Sequence, residues 1–163
     1  MPPRIAETPE DLASRDRLLS MSGLDFMQAM LRGEIAGPPI ARTLNFALVD
    51  VGPGRAVFRG VPLFGVTNPM GAVHGGWYGA VLDSALGCAC MTVVPKGSWY
   101  TTLEYKVNIT RALPLGAEAE CVASVQHAGR ATAVAEAVLR GLADGKVYAT
   151  GSTTCIILAH QAA

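Results

Sequence analysis

Hydrophobic and polar positions change their period several times along the chain. Residues 9–32 read as helix in two pieces, the second carrying Leu24, Met27 and Leu31 at roughly helical spacing before Gly33 stops it. The stretch GPPIARTL then interrupts regular structure. From Leu44 the pattern is that of strands: LNFALVDV, a Gly52-Pro53-Gly54 turn and residues 55–61 together predict a hairpin. Residues 62–73 form a loop rich in Gly, Pro and Asn. From His74 to about Val94 the chain is apolar on every side, which predicts one long helix ended by Pro95-Lys96-Gly97. Four strand-like runs follow, at residues 99–110, 118–126, 131–139 and 146–158, and each of their separators (LPLG, HAGR, ADGK) contains a glycine.

Consecutive strands joined by short turns must run antiparallel, so the predicted class is α+β, with one sheet and one central helix. A helix that is apolar all round belongs in the middle of the molecule. The run at 131–140 agrees, because Ala131, Ala133, Ala135, Ala137 and Leu139 share one face, small enough to let a helix approach closely.

Composition narrows the possibilities. A chain of 163 residues is about one domain. Charged residues make up 16% and hydrophobic ones 50%, against about 25% charged in ordinary soluble domains, so a single copy is expected to hide surface in a homo-oligomer. Thirteen Lys plus Arg balance thirteen Asp plus Glu, without a basic cluster interleaved with aromatics, which argues against nucleic acid as a partner. The N-terminal stretch is polar and mixed in charge, unlike a signal or transit peptide. Pro62, Asn68, Pro69 and Asp83 break the apolar middle before it reaches the ~20 residues of a membrane span. A cytoplasmic protein without membrane association is expected. Cys88, Cys90, Cys121 and Cys155 form no C-x-x-C pair and have no His at ligand spacing, so reduced core thiols are expected and a metal site is not.

The candidate chemistry lies in NPMGAVHGGWYGAVLD, residues 68–83. Between Arg59 and Lys96 the sole formally charged residue is Asp83. Burying a carboxylate raises its pKa and is costly unless donors are aimed at it, so the acid there is either a structural, hydrogen-bonded group or a functional one. At helical spacing around it stand Gly76, Gly79, Ala80, Gly87 and Cys90, with Leu86 the one large neighbour, which implies that a ligand or another helix approaches this face. Gly75 and Gly76 fall at the helix start, where free N–H groups and the helix dipole can polarise a carbonyl and where no Cβ obstructs it. The same two glycines also serve a sharp entry into a crowded helix.

Eight residues of helix separate Gly75 from Asp83 by about 12 Å, far beyond the ~3 Å reach of one reaction centre. Two antiparallel copies of the helix, related by a two-fold axis, would place Asp83 of one beside Gly75 of the other. That arrangement predicts a site at a dimer interface.

The pattern N-x-x-G-x-x-H-G-G, with an Asp eight residues after the first Gly of HGG, resembles the PaaI-type (phenylacetyl-CoA type) branch of the hotdog-fold thioesterases, in the hydroxybenzoyl-CoA thioesterase superfamily. Asn68, Gly71, His74, Gly75, Gly76 and Asp83 fall on it, and TTLEYKVNITRALPLG is similar to the strand after the family's central helix. The likeness extends over about residues 38–158. Residues 1–37, helical by their own pattern, form an N-terminal extension that it does not cover; for 38–163 it implies a hotdog domain, in which a curved antiparallel sheet wraps one long helix and dimers pair into tetramers. It further implies an acyl-CoA thioesterase acting on aryl- or medium-chain substrates, with no cofactor, because CoA is part of the substrate.

By the same resemblance Asp83 is the general base or nucleophile, Gly75 the backbone donor to the thioester oxygen, and Asn68 and His74 residues that position thioester or water. Thr102 matches a Ser or Thr that orients the water, although Ala112 stands where the family often has Pro after Arg. Gly76, Met70, Trp77 and Leu63 are candidates for the acyl group. Arg111, Arg130 and Lys96, near strand ends, are candidates for the CoA phosphates, and equally ordinary surface charges. The alternatives are a non-catalytic acyl-CoA-binding hotdog module, which would keep the pocket without Asp83, and an enoyl-CoA hydratase-type hotdog. The latter pairs an Asp and a His about five residues apart in one loop, and His74 has no acid near it.

Overall fold

A computed structural model describes residues 4–159; the two ends of the expected segments, residues 1–3 and 160–163, lie outside the described residues. Two short helices come first, α1 (Arg15–Leu19) and α2 (Gly23–Leu31), capped by Ser14 and Ser22, whose hydroxyls accept the Arg17 and Asp25 N–H groups. The GPPIARTL stretch is not wholly irregular as expected. It holds one helical turn, α3 (Ile40–Thr43), because Pro38 and Pro39 supply carbonyls without competing N–H groups at its start.

The hairpin is β1 (Phe46–Gly52) and β2 (Arg55–Gly60). After the loop comes the long helix α4 (Gly75–Met91), and then β3 (Ser98–Ile109), β4 (Ala119–Ala128), β5 (Thr132–Gly141) and β6 (Val147–Ala159). The six strands form one sheet in the order β1-β2-β4-β5-β6-β3, with every neighbouring pair antiparallel. This is the α+β hotdog: the sheet curves around α4, which packs against all six strands.

The core follows from the side-chain sizes. Val81, Leu82, Ala85, Leu86, Ala89 and Cys90 of α4 are completely buried, as are Ala119, Cys121 and Ala123 of β4 and Ala133, Ala135 and Leu139 of β5. The alanine face of β5 therefore meets the helix as its alternation predicts. Gly151 of β6 lets the sheet come close to the helix, since a Cβ there would stand 3.4 Å from both Leu82 and Leu86 and 3.0 Å from the Lys106 carbonyl.

β3 is an edge strand with one irregularity. Thr102 pairs with Cys155 and Glu104 with Thr154, so Leu103 is an extra residue, a β-bulge. The bulge switches which side chains face α4. Before it Tyr100 and Thr102 point inward, and after it Tyr105 and Ile109 do: Tyr100 lies over Gly87, Thr102 over Asp83, Tyr105 over Gly79 and Ile109 over Gly75. Two tyrosines of β3 thus cover the small face of α4 at Gly87 and Gly79, while Gly76, Ala80 and Asp83 between and beside them stay exposed or half-buried.

The N-terminal helices are fastened to this body. The Gly23 N–H donates to the Val94 carbonyl over 2.9 Å, and a Cβ on Gly23 would fall 1.8 Å from the Met91 oxygen, so only glycine fits. Gly97 N–H donates to the Leu19 carbonyl, and the Arg15 guanidinium lies 4.6 Å above the Trp99 ring. Among the described residues no helix is long and apolar enough to cross a membrane.

Candidate active site

Asp83 sits midway along α4, half-buried, and opens into a cavity of about 420 Å³. The cavity is mostly apolar, bounded by α2, β1, the second half of α4 and the start of β3, with Asp83, Ser84 and Thr102 at its polar end. Burial raises the pKa of Asp83 above the ordinary aspartate value, and the Thr102 hydroxyl, which donates to Asp83 Oδ1 over 3.4 Å, lowers it by a smaller amount. A carboxylate so placed is a better proton acceptor near neutrality than one in water.

The other polar end of the helix is built by His74. Its ring Nδ1 accepts the Gly76 N–H over 2.9 Å and so caps α4, while its own backbone N–H donates to Val66. Of the two glycine amides, Gly76 is therefore satisfied inside the chain. Gly75 N–H has no acceptor among the described residues, and a Cβ on Gly75 would meet only Ile109, at 3.5 Å. Asn68 folds the preceding loop: its Oδ1 accepts from Met70 N at 3.0 Å and Ala72 N at 3.2 Å, an Asx turn that sets the approach to His74.

Asp83 and Thr102 thus come together, and Asn68, His74 and Gly75 come together at the other end of the helix. The two groups are apart in one chain, as the axial rise of eight residues requires. Trp77 departs from its expected place on the acyl pocket. It is 2% exposed, donates Nε1–H to the Leu44 carbonyl and belongs to the core, because its position on α4 points under the hairpin rather than toward β3. Met70 and Leu63 are exposed on the loop beside the start of α4, away from the cavity. Lys96 precedes β3 and Arg111 follows it, so the strand's length, roughly 40 Å, separates them; Arg130, in the β4–β5 turn, shares the Lys96 end. All three are exposed.

Sequence reasoning missed much of the cavity wall, including Phe46, Leu48, Tyr100 and the side chains of α1 and α2. These residues are far apart in the chain, and their only sequence signal is ordinary apolar periodicity.

The curved antiparallel sheet around one long helix is the hotdog class of fold. The chain belongs to the Thioesterase superfamily, whose model matches residues 70–154, and it is a thioester hydrolase of the PaaI type. It is similar to a conserved protein of Pseudomonas aeruginosa, with 34% identity over 73% of this chain and 93% of that one and a TM-score of 0.68. A phenylacetic acid degradation-related protein of Ralstonia eutropha is 28% identical over 80% of this chain and 98% of that one, with a TM-score of 0.73. A mutant of the phenylacetic acid degradation protein PaaI from Thermus thermophilus is 27% identical over 72% and 97%, with a TM-score of 0.66. No curated protein matches the sequence.

Proposed function

We propose that the protein hydrolyses aryl- or medium-chain acyl-CoA thioesters to the free acid and CoA, at a site completed by a second copy of the chain. The observation that carries this reading is Asp83: a carboxylate held by Thr102 at the polar end of an otherwise apolar cavity, with its proton affinity raised by burial. The acyl group occupies the cavity. Asp83 takes a proton from a water whose oxygen attacks the thioester carbon, the Gly75 N–H receives the developing oxyanion, and the C–S bond then breaks with the proton passing to the departing thiolate. The alternative, attack by Asp83 itself, uses the same groups and a mixed anhydride that water then cleaves.

The second copy is supported by β3. It is twelve residues long, pairs among the described residues with β6 alone, and leaves Leu103, Tyr105 and Ile109 exposed together with Glu104, Lys106 and Asn108. A long edge with unpaired backbone groups is a template for another strand. Antiparallel pairing with Thr102 opposite Ile109 of a second copy sets Asp83 level with the other chain's Gly75, because Ile109 lies over Gly75. The same pairing brings the second copy's Arg111 to the strand end that carries Lys96 and Arg130, where CoA phosphates need cations.

Subunit complementation tests both parts. Gly75 is the first residue of α4, where proline is tolerated, and His74 already has the extended geometry (φ −65°, ψ 139°) that a following proline requires. Gly75→Pro therefore deletes the N–H without breaking the helix, and should cost about 10²–10³-fold in kcat. Mixed after unfolding and refolding, inactive Asp83→Asn and Gly75→Pro should regain about a quarter of wild-type acyl-CoA hydrolysis, since one site in each mixed dimer is intact. No regain would overturn the shared site, and no acyl-CoA hydrolysis by the wild type would overturn the reaction.

A further inference from the structure

We infer that α1 and α2, which lie outside the matched family region, are the specificity element of this site: they form the far wall of the acyl cavity and set which acyl groups fit. The inference rests on the proposed use of the cavity. Ile5, Leu18, Phe26, Met27 and Met30 line the same cavity as Asp83 and Thr102. Leu18, Phe26 and Met30 are only half-buried although they pack against the core, as expected of side chains facing an empty space.

The wall is fixed rather than draped. Gly23 is seated against Met91 and Val94, Gly97 holds the Leu19 carbonyl, and Arg15 spans the Trp99 ring, itself a cavity residue. A cavity closed by anchored helices has a definite length. Phe26 and Met27, four and three residues before Met30 on α2, present with it an aromatic ring and two thioethers, surfaces suited to an aryl ring or an alkyl chain.

The chemistry of the wall excludes another class. The cavity residues include no Lys, Arg or His, so an acyl group ending in a second carboxylate would be buried there without a cation, beside Asp83. The accepted substrates are neutral, apolar acyl-CoAs.

Binding of S-alkyl-CoA thioethers of increasing length, followed by calorimetry, tests the wall without needing turnover. Phe26→Ala and Met30→Ala lengthen the cavity, and should raise the affinity ratio of long to short alkyl chains about tenfold while leaving the shortest thioether's affinity within about twofold. Leu18→Phe should shift the optimum toward shorter chains. A thioether ending in a carboxylate should bind the wild type at least about tenfold more weakly than its methyl-ended counterpart. If a variant fails to fold, the other two still decide the matter. Length profiles identical to wild type in the folded variants, or a uniform loss at every length, would overturn the assignment. Wild-type protein that binds the series but hydrolyses no acyl-CoA would instead count against the catalytic reading alone.

Discussion

The Thr102 hydroxyl, one residue before the β3 bulge, donates to Asp83 Oδ1 over 3.4 Å. This contact opposes the desolvation that raises the Asp83 pKa. If Asp83 acts as base, only its ionised form is productive, so kcat/KM should rise with pH through a limb above the ordinary aspartate pKa and then level off. Thr102→Val removes the group that favours ionisation, and should move that limb to higher pH and lower the plateau about tenfold or more. A pH–rate profile of both proteins checks it, and an unmoved limb would separate Thr102 from the titrating group.

Asp83 should also cost stability at neutral pH. Its folded pKa is raised, so between the unfolded and folded pKa values the native state binds more protons than the unfolded one, and stability falls as pH rises through that window. Asp83→Asn is therefore expected to melt higher than wild type at pH 7, with the difference shrinking as pH falls toward 4. The same variant should lose about 10²–10⁴-fold in kcat. Thermal melts at several pH values supply the first measurement and steady-state kinetics the second.

Much of this was legible in the sequence because it is local. The apolar run from His74, the alanine face at 131–139 and the glycine-bearing turns each specify one element, and short turns force antiparallel pairing. Asp83 stood out as a lone charge in an apolar stretch. The bulge at Leu103 was not legible: its residues keep ordinary strand composition, and only pairing with β6 shows that Leu103 is extra. For the same reason the small face of α4 could be seen without its occupants, since Tyr100 and Tyr105 reach Gly87 and Gly79 only through that shift in facing. Trp77 was misplaced because a helix that is apolar all round gives no sign of which side meets the hairpin and which the cavity.

Gly87 should resist substitution for a reason unrelated to helix propensity. Glycine to alanine inside a helix ordinarily stabilises by about 0.5–1 kcal/mol. Here a Cβ would lie 2.5 Å from the Tyr100 hydroxyl and 3.3 Å from its ring, so Gly87→Ala should destabilise by about 1–3 kcal/mol. Tyr100→Phe removes the nearest atom and leaves only the 3.3 Å contacts. Urea unfolding of the double variant should show recovery of most of that loss, and additive losses would refute the contact.

Cys88 lines the cavity yet should be a poor nucleophile. Burial, with the nearby Asp83 charge adding to it, pushes its thiol up to about 12, and only the thiolate reacts quickly with alkylating reagents. Iodoacetamide at pH 8 should therefore modify Cys88 at well under about a hundredth of the rate of a free cysteine in the same reaction, read by mass spectrometry of its peptide. A CoA thioether filling the cavity should slow it further. Labelling at the rate of an exposed thiol would mean that the cavity is wetter than its walls indicate.

Thr153 is expected to be a positioning residue for Asp83 although it touches neither cavity nor carboxylate. It is 1% exposed, and its hydroxyl donates to the Glu104 carbonyl over 2.6 Å, the first carbonyl after the bulged residue. That bond fixes the place where β3 changes its facing and so the direction of Thr102. Thr153→Val keeps the volume but removes this hydrogen bond, at a cost of about 0.5–1.5 kcal/mol in stability. A purely structural role would lower the melting temperature and leave the pH limb alone. If the bulge aims Thr102, Thr153→Val should shift the limb upward in the same sense as Thr102→Val, and combining the two should add little further shift, because both act through one contact.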